Sequence, residues 1–266
     1  MVKRRRRRKG KGNKKILKII LCFIGILLAL FIGVVIYEVV QDFGQEDILK
    51  QEIINYSNKN LVSDDYTIYV KTKGDYAYIE EAVKKFYKEL SDNVKIINYY
   101  MADEELINIL APDNLIKERP NYTNSFSIID KDRNKVINAL KRISKLCEKD
   151  TIENLIDKDK VDDYSYKLYK DLMLSKKDIE ELKETKDKME YLAKNLNLFF
   201  DKEVELLNFL KANDASWQYT DNQLLFTSTE LANKYNALFN DLKEIAKKFE
   251  SDGATVNSGG SNKVEA

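Results

Sequence analysis

From Ile19 to Tyr37 the chain runs for 19 residues without a charged side chain, and no other feature constrains its fold as strongly. At 1.5 Å rise per residue, a helix of this length spans roughly 28 Å, close to the ~30 Å hydrocarbon core of a bilayer. Fourteen of the 19 are Ile, Leu, Phe or Val. Each favours insertion by about 0.3–0.6 kcal/mol, a total on the order of −6 kcal/mol. Lys18 and Glu38 bracket the run and can reach the two interfaces. The expectation is one uncleaved transmembrane helix at about residues 19–40. A cleaved signal peptide would have an apolar region of about 7–15 residues ending at a small-x-small site; this run is longer and no such site follows. A lipoprotein signal at Cys22 fits poorly, because Leu21 precedes it and most of the run lies after it.

Charge sets the direction. Eleven bases lie in the first 18 positions, among them Lys3, Arg4, Arg5, Arg6, Arg7, Arg8 and Lys9, and no acid precedes Glu38. Residues 39–266 hold 34 bases against 43 acids, so a basic stub precedes an acidic body of net −9. Bases are retained on the cytoplasmic side, which puts the N-terminus inside and the body outside the cell membrane. Attraction to anionic lipid, about 1 kcal/mol per base near the surface, accounts for the run better than a nucleic-acid patch does. Within the helix Gly25, Ala29 and Gly33 share one face and would let a second helix approach closely. Small residues are also common in membrane helices without pairing.

The residue inventory narrows the chemistry. There is no histidine, which removes the commonest general base near neutral pH and the commonest metal ligand. Only Cys22 and Cys147 occur, one inside the apolar run and one far from it, so no disulfide between them is expected. Export without disulfides, with heavy use of Lys, Asn and Ile, suits a Gram-positive envelope. Phosphate loops, Cys-x-x-Cys pairs, His-Glu-x-x-His helices and Gly-x-Ser-x-Gly elbows are all missing. The acidic stretch Asp157 to Asp163 fails the EF-hand register at Val161, Asp162 and Leu168 and reads as a solvated loop. No cofactor, metal or catalytic residue is assigned. Paired carboxylates are so plentiful among 44 acids that glycosidase-type chemistry stays open.

The body reads as helix. Ile48, Leu49, Ile53 and Ile54 predict a short helix over Gln45 to Asn60. Thr67, Ile68, Val70 and Thr72 suggest an extended segment over Tyr66 to Lys73, broken by Gly74 and Asp75. A long helix follows to about Tyr100, then a short capped one over Asp103 to Leu110, stopped by Pro112. Pro112 and Pro120 mark residues 111–127 as the longest loop. A third main helix is expected over Asp130 to Glu148, with Cys147 a small core residue, and two short helices within 151–175. Lys176 to Ala212 repeats Leu182, Met189, Leu192, Leu196, Phe199, Leu206 and Leu210, and Thr227 to Phe249 repeats Leu231, Tyr235, Leu238, Leu242, Ile245 and Phe249. Such seams predict antiparallel neighbours, with Thr227 and Glu230 as a capping box. Between them Asp221-Asn222 predicts a two-residue hairpin turn near 216–226. Trp217 and Tyr219 there either close the core or contact a glycan or protein.

The expected architecture is all-α, an elongated antiparallel, coiled-coil-like bundle behind one membrane helix. Its parts are a basic tail at 1–18, the membrane helix at 19–40, a helical domain at 41–250 and a disordered tail at 251–266. The expected role is a non-enzymatic envelope protein that binds another protein or itself. A wall-polymer binding or sensing module is the alternative.

Overall fold

The computed structural model describes residues 44–259 apart from Asn222. The expected membrane helix lies outside the described residues, as do the basic stub and the Gly25, Ala29, Gly33 face. Among the described residues no helix is long and apolar enough to cross a membrane. They are mostly helical (76%), with one small antiparallel two-stranded sheet. The body, expected as one domain, divides into two compact units. One comprises residues 44–99 and 135–194, the other residues 100–134 and 195–259.

In the first unit α1 spans Gln45–Ser57 and α2 spans Asp75–Met101, of which the unit holds all but the last two residues. Helix α2 starts where the sequence breaks. Gly74 has φ +61 and accepts from the Ala77 N–H at 3.1 Å, and glycine is the residue for which that conformation carries no Cβ penalty. One face of α2 buries Ile79, Val83, Phe86, Leu90, Val94 and Ile97, the helical spacing that marks a core stripe.

The extended stretch between α1 and α2 forms no strand. Its backbone groups find side chains instead of a neighbouring strand, which satisfies buried N–H and C=O groups equally well. Tyr56 donates its hydroxyl to the Tyr66 carbonyl at 2.6 Å, and the Lys73 N–H donates to Gln45 at 2.7 Å. β-branched residues here mark an extended strap, not a sheet.

The 111–127 region departs furthest from expectation. Pro112 opens a helix: α4 spans Pro112–Glu118, after the short α3 at Glu104–Ile107, which Asp103 caps through Oδ1 to the Glu105 N–H. Proline suits the first turn because its missing N–H would have had no helical partner there. Helix α5 begins at Thr123, seven residues early, and runs to Leu146. The Glu118 carboxylate accepts its Ser125 N–H at 2.8 Å, replacing a local cap by one from the preceding helix.

After α5 come α6 at Lys149–Glu153, a 3-10 turn at Lys158–Lys160 and α7 at Asp163–Met173. The acidic stretch supplies caps: Asp157 accepts from the Asp159 N–H and Asp162 from the Ser165 N–H at 2.7 Å. Tyr169, fully buried, donates to the Ile152 carbonyl at 2.6 Å and ties α7 to α6. Helix α8 spans Lys176–Ala212 as its seam predicts. In this unit α5 and α8 run antiparallel: Ser144 meets Glu190 at 3.1 Å, and beyond it along the chain Glu148 meets the earlier Lys186 at 2.8 Å.

In the second unit α8 leads through a short 3-10 turn to β1 (Trp217–Thr220) and β2 (Gln223–Phe226), then to α9 (Thr229–Gly259). The register pairs Trp217 with Phe226 and Thr220 with Gln223, leaving a two-residue turn in which Asp221 has φ 53. That positive φ is what type I′ requires. Lys202 pairs with Asp241 at 3.2 Å, and seven residues on, Phe209 lies under Lys234, seven residues back. Helices α8 and α9 are therefore the expected antiparallel neighbours. The capping box is corrected: Ser228, not Thr227, accepts through Oγ from the Leu231 N–H at 3.2 Å. Helix α9 also carries on through residues 251–259, expected to be disordered, before the described chain ends.

Candidate functional site

The densest polar constellation among the described residues lies in the first unit, where α1, α2 and the strap meet. Glu80 and Lys84 sit one turn apart on α2, beside the apolar stripe and not opposite it, and both are buried. Glu80 accepts from the N–H groups of Lys71 and Thr72, from the Thr72 hydroxyl at 2.7 Å and from Lys84 at 2.6 Å. Lys84 Nζ spends its other two protons on Glu52 of α1 at 2.9 Å and on the Tyr69 carbonyl at 2.7 Å. Lys71 closes the circuit on Glu52 at 2.7 Å.

Burial pushes both carboxyls upward, but their bonding outweighs it. Lys71 and Lys84 hold Glu52 below the ordinary carboxylate range, and Lys84, Thr72 and the strap N–H groups do so for Glu80. Ionised and fully bonded groups of this kind hold a strap in place. They are not tuned for proton transfer near neutral pH, which calls for a pKa close to it.

A second cluster closes the hairpin end of the other unit. Arg119 Nε meets Asp214 at 2.5 Å, the same guanidinium donates to the Asp214 carbonyl, and it lies 4.0 Å from the centre of the Trp217 ring. Trp217 is buried and donates Nε1–H to the Leu210 carbonyl at 3.1 Å. Of the two expected ligand contacts, Trp217 is buried with its ring covered by Arg119, the arrangement of the core role that its sequence position also allowed. Tyr219 is half-buried on the same strand. Lys3, Arg4 to Arg8, Lys9, Gly25, Ala29 and Gly33 lie outside the described residues.

Two further carboxyls depart from the ordinary range in the opposite sense. Glu203, on α8, is almost wholly buried, its Oε2 has no hydrogen-bond partner among the described residues, and burial alone pushes it up to about 8. Asp132, on α5, is raised by burial, against the pull of Lys131 at 3.3 Å. Cys147 donates its thiol to the Ile143 carbonyl at 3.2 Å, and burial pushes it up to about 12, as for a core residue. Among the described residues no group of three or more carboxylate or thiol side chains could hold a metal ion.

Sequence reading misses the Glu52, Glu80, Lys84 constellation. One signal points to it: Glu80 and Lys84 stand at the i, i+4 spacing at which opposite charges meet on a helix, beside the stripe of Ile79 and Val83.

No family model matches the chain, no curated protein is similar to it in sequence, and no solved structure matches its fold.

Proposed function

We propose that the chain is a single-pass membrane protein whose helical body, outside the cytoplasm, binds another protein or a second copy of itself. The observation that carries this reading is the 19-residue uncharged run behind eleven bases and ahead of an acidic body. What supports a binding role over a catalytic one is the state of the buried polar groups. Glu52, Glu80 and Lys84 are consumed by one another and by the strap. The helical body then offers its solvated faces, rich in acids and lysines, for recognition.

Two measurements test the reading together. Full-length protein is expected to stay with membranes through alkaline carbonate extraction, and protease added to intact protoplasts is expected to degrade the body while an N-terminal tag survives. Extraction by carbonate, or a tag cut first, would sink the topology. In-cell cross-linking is expected to trap one defined species, homomeric or with one partner. Retention on purified peptidoglycan with no such species would favour the wall-polymer alternative.

A further inference from the structure

Three helices of the first unit begin at one place. The Asp162 N–H, just before α7, donates to Asp75 in the first turn of α2 at 2.8 Å. Tyr164 in the first turn of α7 donates to Glu46 in the first turn of α1 at 3.3 Å. Gln45 in that same turn accepts from the Lys73 N–H, two residues before α2. This is also the end at which the chain enters the unit from its N-terminal side.

Only six residues lie between Tyr37, the last of the uncharged run, and Gly44, a tether of at most ~25 Å even when fully extended. Exposed on the same end are Ile48 (39%), Tyr78 (39%) and Tyr164 (59%), from the first turns of α1, α2 and α7. Tyrosine is the side chain that settles at a membrane–water interface, with its ring toward the acyl region and its hydroxyl toward water.

We propose that the end of this unit formed by the first turns of α1, α2 and α7 rests on the outer surface of the bilayer, with Ile48, Tyr78 and Tyr164 in the interface. The proposal rests on the anchor reading and adds which end of the unit meets the lipid and through which side chains. Acids are frequent there for a separate reason. Glu46, Asp47, Asp75 and Asp163 occupy first turns, where a negative charge complements the helix dipole. Lys50, one turn further along α1, pairs with Glu46 at 3.0 Å and offsets them only in part. Contact is therefore made through aromatic and aliphatic side chains, not through attraction to anionic lipid.

The test uses the full chain reconstituted in vesicles of phosphatidylcholine carrying brominated acyl chains. Tyr164→Trp and Tyr78→Trp are read against Tyr99→Trp, which lies 21 residues further along α2, about 32 Å away along the helix axis. The single native tryptophan, Trp217, is buried and supplies the baseline. Emission from positions 164 and 78 is expected to blue-shift and to be lost to the quencher, while position 99 stays at baseline. Replacing part of the lipid by phosphatidylglycerol is expected not to deepen the loss. Quenching absent at both 164 and 78, in a chain that still resists carbonate extraction, overturns the docking and leaves the anchor standing. Equal quenching at 99 overturns the end-on arrangement, and quenching that grows with anionic lipid overturns its aromatic basis. Release by carbonate removes the anchor reading and the docking with it.

Discussion

Both units bury carboxyl groups, and they do so on opposite terms. In the first, Glu80 is surrounded by donors from the strap and from Lys84, and its charge is retained. In the second, Glu203 sits on a helix face flanked by Phe199, Phe200, Leu206 and Leu207 with nothing among the described residues to donate to Oε2, and its charge is suppressed. Burial costs a charged group much the same anywhere in an apolar interior, so what decides its state is whether partners arrive with it. One unit built a network; the other kept an acid neutral.

Breaking the network should have the largest effect. Lys84→Met leaves Glu52 and Glu80 buried without their shared ammonium, and removing one partner of such a group costs about 3–5 kcal/mol. Denaturant unfolding of the detergent-solubilised chain is expected to show this loss, with the strap at 65–73 exchanging its amide hydrogens earlier than α2. Adding Glu80→Gln to Lys84→Met should recover part of the loss; if the double variant is no better than the single one, the charges were not what held the strap.

Filling the lonely site should do the reverse. Glu203→Leu replaces a carboxyl lacking a partner by a side chain that suits its neighbours, a gain on the order of 1–3 kcal/mol. The two units should also respond to pH with opposite signs. Glu203 is raised, so the unfolded chain gives up its proton first. Its unit loses stability as pH climbs from the ordinary carboxylate range toward about 8. Glu52 and Glu80 are lowered, so their contribution is present above the ordinary range and disappears as pH falls through their depressed values. Hydrogen exchange corrected for intrinsic rates should show α9 loosening as pH rises from the ordinary carboxylate range toward about 8, and the strap loosening in acid. Glu203→Leu should abolish the first trend and leave the second untouched.

Trp217 offers a smaller test within the second unit. Trp217→Phe removes the donor to the Leu210 carbonyl and part of the surface beneath Arg119. A loss of about 1–3 kcal/mol is expected, combining one hydrogen bond, a cation–π contact and packing. A variant that unfolds like the native chain would mean that Arg119 and Asp214 close the hairpin end by themselves.

The contrast between locally and remotely satisfied groups also decides how much of the molecule is legible in its sequence. Elements set by apolar period are legible: α2, α8 and the seam of α9 lie where their stripes predict, because a stripe states directly which face is buried. The Asp221 turn is legible for a similarly local reason, since few residue pairs suit φ above zero. Elements set by a distant partner are not. Residues 111–127 read as a loop because Pro112 and Pro120 look like breaks, whereas one opens α4 and the cap of α5 comes from Glu118 in the helix before it. The extended backbone of the strap is legible from its β-branched residues, but nothing local says that its partners are Glu80 and Lys84. Of the candidate site, only the i, i+4 spacing of Glu80 and Lys84 is written in the local sequence.

Helix caps bring the comparison down to its smallest scale. Helix α7 in the first unit is capped by a charged group, Asp162, whose carboxylate is held below its ordinary range by the Ser165 N–H and hydroxyl. Helix α9 in the second is capped by a neutral one, Ser228. Ser228→Ala should cost about 1 kcal/mol, the usual worth of such a cap, and Thr227→Ala, one residue away and outside the cap, less than about 0.5 kcal/mol. Equal losses at the two positions would restore the cap that the local sequence suggests. The effect of Asp162→Ala should fade as pH falls through the depressed carboxylate value, because the native cap weakens once protonated, whereas the effect of Ser228→Ala should be the same at every pH. A charged partner makes the first unit's cap answer to acid, as it does the strap; the cap of α9 carries no charge for acid to remove.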